Sequence, residues 1–177
     1  MADDVRELIF DQNEGTLQIG PLRYVLMRPD TVAEIQKGVE DRLGPKSAEY
    51  LYAAGASWAV AVYKRLKSAL PEGTEGLIKA VCIHATELGW GRWGLERFSE
   101  EEKKLVVRVF GSPFATAYGK SDTPVCHLIT GAVSGLAESI FKMPTGCTEQ
   151  VCMAQGGADC IFVATGHDVA GKEAWAW

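Results

Sequence analysis

Cys126, Glu149, Cys152 and Cys160 are the residues of this chain whose types and spacing could do chemistry together. Glu149 and Cys152 are three apart, and a bend between them would aim both side chains at one centre. The turn Gln155-Gly-Gly-Ala-Asp159 would return Cys160 beside Cys152, since glycine accepts the positive φ angles that tight turns need. Cys126 stands 23 residues before Glu149, so a metal here would tie a helix to a hairpin. Three thiolates and a carboxylate suit a closed, tetrahedral zinc site. Zinc would offset the ionisation and burial of the thiolates, and the net negative site would favour backbone N–H donors near sulfur, expected from Gly156 and Gly157. Spacing alone leaves two other readings open: unligated cysteines filling a core, and a disulfide or redox pair. No Cys-x-x-Cys is present, and Cys147 is an alternative to Cys126 as a ligand.

Other chemistry is sparse. The sequence shows no serine nucleophile elbow, meaningfully spaced carboxylate pair, phosphate-cradling loop or dinucleotide fingerprint. Gly89-Trp-Gly-Arg-Trp-Gly94 precedes a strand pattern and carries bulky tryptophans, so it is not read as a phosphate loop. Trp90, Trp93, Phe98, Phe110, Phe114 and Tyr118 make the middle of the chain aromatic. Such residues either pack a core or line a cavity for a flat apolar ligand. His84 is either a packing histidine or a donor facing such a cavity, and His127 adjoins a candidate ligand.

The elements that must position these groups follow from periodicity. Residues 13–28 read as two short strands around Gly20-Pro21. Asp30 or Thr31 is expected to cap a helix with apolar positions Val32, Ile35, Val39 and Leu43, ended by Gly44-Pro45. A second helix runs from Ser47 or Ala48 to about Leu70, with small residues from Ala53 to Ala61 that admit a neighbouring backbone. Residues 74–88 form a third. Trp90–Phe98 and Lys104–Phe110 read as strands joined by a charged turn beginning at Ser99, and Ser112-Pro-Phe-Ala115 as the lead into a loop. A small-residue helix spans about Val125 to Ile140, and Cys147–Met153 pairs with Cys160–Ala164 as a final hairpin. The pattern predicts an α+β fold, with helices packed on a small, mainly antiparallel sheet and a C-terminal zinc-stapled β-hairpin. No doubly wound nucleotide fold is expected.

The 177 residues, 47% apolar, suffice for one core and not for two domains. A formal charge of -5 with no basic run argues against direct contact with nucleic acid or an anionic membrane. No apolar run is long enough to span a bilayer, and the first residues do not read as a signal peptide. With five cysteines and no export signal, a cytoplasmic setting with free or metal-bound thiols is expected.

The pattern Cys126…Glu149-x-x-Cys152-x-Ala154-x-Gly156-x-x-x-Cys160-x-Phe162, with the segment His127–Ala137 before it, resembles the 4-vinyl reductase domain family. The resemblance covers roughly residues 15–165, leaving 166–177 as a tail of one domain, 1–177. It implies kinship in fold with vesicle-tethering (transport protein particle) subunits and haem-based nitric-oxide sensor domains. In the sensor members zinc is held by one glutamate and three cysteines, which implies Glu149, Cys126, Cys152 and Cys160 here. A histidine and a tryptophan grip a phenolic hydroxyl in those members. His84, Trp90, Trp93, Phe114 and Tyr118 are the residues nominated for a ligand pocket. Four protein ligands leave no open position for water, so the zinc would be structural and the chain a binding module more than an enzyme. The expected function is that of a zinc-containing sensor or carrier for an apolar, aromatic or tetrapyrrole-like molecule. A homodimer acting through a separate output protein is expected with it. Two alternatives stand beside it: a scaffold subunit, and a 4-vinyl reductase or accessory protein of tetrapyrrole biosynthesis. The ending Lys172-Glu-Ala-Trp-Ala-Trp177 is expected to dock its tryptophans on the body or on a second subunit.

Overall fold

The computed structural model describes residues 8–70 and 73–167, so the tryptophan-bearing ending lies outside the described residues. The chain begins with a three-stranded antiparallel meander, β1 (Leu8–Asp11), β2 (Thr16–Ile19) and β3 (Leu22–Tyr24). The expected turn at Gly20-Pro21 joins β2 to β3, while β1 is an additional strand: Leu8-Ile-Phe carries no alternation that would mark it. Helix α1 (Pro29–Leu43) starts earlier than its apolar rhythm suggests. Pro29 sits at the first helical position, where its missing N–H costs nothing. Asp30 does not cap the helix from outside; it lies in the first turn and pairs with Arg28 at 2.6 Å.

Helices α2 (Ser47–Ala69) and α3 (Thr74–Glu87) match their predicted extents to within a residue or so. A four-stranded sheet follows, made of β4 (Arg92–Ser99), β5 (Lys104–Phe110), β6 (Thr145–Val151) and β7 (Cys160–Gly166). All its pairs are antiparallel, in the order β4-β5-β7-β6. Between β5 and β6 lie two helices, α4 (Pro113–Tyr118) and α5 (His127–Phe141). Helix α4 replaces the expected loop; Ser112 caps it, its Oγ accepting from Ala115 N–H at 3.4 Å, and Pro113 opens it.

The sheet turns Leu105, Val107 and Val109 of β5, and Cys160, Phe162 and Ala164 of β7, inward against α5. Helix α5 is buried almost all round because α2 covers its other side. The small residues read from the sequence make that possible. A methyl group at Gly131 would overlap the backbone of Tyr52, and one at Gly55 the backbone of Leu128, so glycine is required where α2 and α5 touch. Among the described residues no helix is long and apolar enough to cross a membrane. The architecture is α+β, with a cysteine and glutamate cluster at the final hairpin.

Candidate metal centre and aromatic cluster

Strand β6 carries a bulge between Glu149 and Val151 that leaves Gln150 unpaired. In an uninterrupted strand, side chains three apart face opposite ways. The bulge adds a residue, so Glu149 and Cys152 both point inward despite that odd spacing. A turn of 3-10 helix, Met153–Gln155, then ends on Gly156 at φ +93°, a left-handed conformation suited to glycine. This reversal delivers Cys160 to the start of β7. Cys126 arrives from the other side as the residue preceding α5, where the helix N-terminus favours negative charge on its sulfur.

The ligand atoms of Cys126, Glu149, Cys152 and Cys160 all lie within 4.8 Å of one another. Cys126 Sγ and Cys160 Sγ are 3.8 Å apart. A disulfide would need about 2.05 Å, and all five cysteines are free. Tetrahedral zinc with Zn–S bonds of about 2.3 Å would separate two sulfurs by roughly 3.8 Å. The Glu149 carboxylate is buried, with Oε2 accepting from Cys126 N–H at 3.0 Å and Oε1 without a hydrogen-bond partner. An orphaned buried carboxylate oxygen facing three thiols is costly unless a cation completes it. The donor set and spacing therefore fit zinc. Cys147, the alternative ligand, lies outside the cluster; its N–H donates to the Tyr52 hydroxyl at 3.2 Å.

Electrostatics point the same way. Contacts from Cys126 and Cys160 hold the Cys152 thiol far below its ordinary range, while contacts with Cys152 and Cys160, then burial, push Cys126 far up. One sulfur takes the negative charge and its neighbours keep their protons. Burial, then Cys152, pushes Glu149 up to about 7. Four acidic groups cannot all ionise together without a cation, and a divalent metal would reverse that order. A backbone donor to sulfur is present but differs from those expected. Met153 N–H reaches Cys160 Sγ at 3.4 Å. The N–H groups of Gly156 and Gly157 donate instead to the carbonyls of Met153 and Cys152. Burial lowers His127, against the opposing pull of Glu40 and Cys152.

The aromatic residues form a second grouping. Trp90 stacks on Trp58 of α2, with centroids 4.4 Å apart, and meets the edge of Phe114 at 5.5 Å. The buried His84 ring lies parallel to Trp58 at 6.2 Å. Arg65 Nη2 is 3.1 Å from His84 Nε2. Arginine can only donate, so Nε2 accepts and the imidazole proton sits on Nδ1, 3.9 Å from Glu87. Trp93 is buried and spends its indole N–H on the Trp90 carbonyl, at 3.2 Å. Tyr118, one turn along α4 from Phe114, donates its hydroxyl to Glu40 at 2.6 Å, which pushes its own pKa up to about 12. Thus His84, Trp90 and Phe114 come together, while the polar atoms of Trp93 and Tyr118 are committed elsewhere. Trp58 is not among the nominated residues; a lone tryptophan among the small residues of α2 is the signal that could have found it. An open depression of about 510 Å³ lies elsewhere, on the outer sheet face beside Glu96, Arg97 and Lys104.

Residues 105–165 match the 4-vinyl reductase domain, the stretch from β5 to β7 that contains the whole cluster. No curated protein matches the chain by sequence. Among solved structures, the phenol-responsive sensory domain of the transcription activator PoxR, crystallised with phenol, is similar. It has a TM-score of 0.79 and 18% identity over 91% of this chain and 85% of that one. A vinyl-4-reductase family protein from Methanocaldococcus jannaschii has a TM-score of 0.51 and 18% identity, over 78% of each chain. A trafficking protein particle complex subunit 3 from Naegleria fowleri, covalently bound to palmitic acid, has a TM-score of 0.53 and 11% identity, over 79% of this chain and 95% of that one. An H-NOX protein shares the fold as well. The match to this domain is thus confined to residues 105–165, and the fold as a whole is similar to those of these solved structures.

Proposed function

We propose that this chain is a small-molecule-binding domain whose final hairpin and α5 are stapled by a structural zinc ion at Cys126, Glu149, Cys152 and Cys160. The convergence of three thiols and one orphaned carboxylate oxygen carries the metal half of the reading. Bound zinc would supply cross-linking charge and no reactive position, because four protein ligands close a tetrahedral site. The chain's own part is to deliver those ligands: the β6 bulge aims Glu149 and Cys152, the Gly156 turn returns Cys160, and the start of α5 presents Cys126.

The ligand half rests on the face made by Trp58, Trp90 and Phe114, with the His84–Arg65 pair at its polar side. Flat aromatic surfaces beside a few polar groups suit an apolar, aromatic molecule. The phenol in the PoxR domain and the palmitate on the trafficking subunit support an apolar occupant for this fold. A dimer is part of the reading: Leu8, Ile9, Phe10, Val25 and Leu26 are all exposed near the start of the chain, a density of apolar surface that favours a protein partner. Binding would then alter contacts with a second subunit or a separate output protein.

Native mass spectrometry of protein purified without additives tests the ligand half, followed by titration with phenol and with palmitate while tryptophan fluorescence is read. Extra co-purified mass, or saturable quenching lost in Trp90→Ala, is expected. No added mass and no saturation with either probe would overturn it and favour a scaffold role.

A further inference from the structure

We propose that Gln36, on α1, is a positioning residue for Glu149 and acts through the peptide joining Val125 to Cys126; the proposal rests on the zinc reading above. Gln36 is 7% exposed, although most of α1 faces solvent. Its Nε2 donates to the Val125 carbonyl at 2.9 Å and to Glu40 Oε1 at 2.8 Å. Both partners can only accept, which fixes the amide with its nitrogen toward them and uses both of its protons. The other end of the same peptide unit is the Cys126 N–H, which donates to Glu149 Oε2. Gln36, one peptide and the metal-ligating carboxylate thus form a single series of hydrogen bonds.

A carbonyl that accepts a hydrogen bond polarises its own N–H and makes it a stronger donor. Gln36 therefore strengthens and aims the contact that holds Oε2, leaving Oε1 as the oxygen available to the metal. The series is itself anchored: the Glu40 carboxylate that holds Gln36 accepts from the Tyr118 hydroxyl on α4. Partners of metal ligands that orient them in this way typically matter about 10–100-fold in metal affinity. Helix α1 lies outside residues 105–165, so the site reaches beyond the matched segment.

The test uses zinc-loaded, 15N-labelled protein. Gln36→Met keeps side-chain length and helix propensity but removes both donors. The Cys126 amide proton should move upfield, and zinc should pass to a competing chelator at about tenfold lower chelator activity than in the parent. Tyr118→Phe, which leaves Gln36 in place but frees Glu40, should shift the same amide less and in the same direction. It also keeps the proposal testable if Gln36→Met does not fold. The exposed neighbour variant Ile35→Ala should change neither reading. An unmoved Cys126 amide and unaltered zinc affinity would overturn the proposal, and so would a loss of thermal stability without that shift, which would mark Gln36 as a docking contact only. A parent protein that takes up no zinc would instead sink the zinc reading.

Discussion

Phe10 and Phe162 are the same residue in the same kind of element, an antiparallel strand, yet Phe10 is 61% exposed and Phe162 0%. The hydrogen-bond ladders are comparable; what differs is cover. Strand β7 is central in its sheet, and α5 seals its inner face, itself held down by α2. The β1–β3 meander has a ladder and almost no packing: every residue of β1 is exposed, and none of β2 or β3 is buried. A small sheet without a covered face is marginal in water. Among the described residues the C-terminal sheet therefore has a sealed face, while the N-terminal sheet has none.

The largest effect should come from breaking the staple. Cys160→Ser removes a fully buried thiol of the proposed zinc site, and since structural zinc contributes roughly 10 kcal/mol or more to folding, the thermal midpoint should fall by more than about 10 °C. Scanning calorimetry, with metal content measured on the same sample, reads both consequences. Phe162→Ala should come next, costing about 3–5 kcal/mol through a cavity between sheet and α5. Its measurement is a urea titration of zinc-loaded protein.

These losses fall where the sequence is most legible. Helices α2, α3 and α5 and strand β5 have flanking breakers or periods long enough to read directly, although none of the three helices has a side-chain cap. The cluster is readable because the Glu149–Cys152–Cys160 spacing is local and only a few ligand sets suit it. Strand β1 escapes because three apolar residues in a row have no period, and α4 because a single turn and a half is set by tertiary packing despite its Ser112-Pro113 start. Trp58 and Gln36 are hidden for a different reason. Their roles depend on partners 32 and 89 positions away, Trp90 and Val125, which no pattern along the chain records.

A third prediction concerns pH. In metal-stripped protein Glu149 sits at about 7, above its ordinary 4.5. The folded state then holds a proton that the unfolded chain has released between those values. Taken alone, that proton makes stability full below pH 4.5 and lost as pH rises through 7. Cys152 offsets it: its thiol is ionised in the fold and protonated in the unfolded chain across the same window, so metal-stripped protein should be nearly indifferent to pH there. Loaded protein should instead gain stability with pH, holding zinc at pH 7 and releasing it on acidification, because the ligands must give up protons to bind metal. Denaturant melts at pH 5 and pH 7.5, with and without chelator, should show a rising slope with metal and almost none without it. A steep slope in metal-stripped protein would contradict the placing of one proton on Glu149 and one charge on Cys152.

The smallest effect on folding is expected at the other pole of the comparison. Phe10→Asp should alter monomer stability by no more than about 0.5 kcal/mol, because the side chain is largely exposed among the described residues. It should nevertheless weaken self-association, which sedimentation velocity across a concentration series would show. A large loss of monomer stability would mean that the meander belongs to the core after all.

X-ray absorption at the zinc edge of protein purified without added metal tests the metal centre most directly. One zinc per chain with three sulfur neighbours at about 2.3 Å and one oxygen at about 2.0–2.2 Å is the predicted result. Folded protein without metal, or a zinc shell poorer in sulfur, would contradict it.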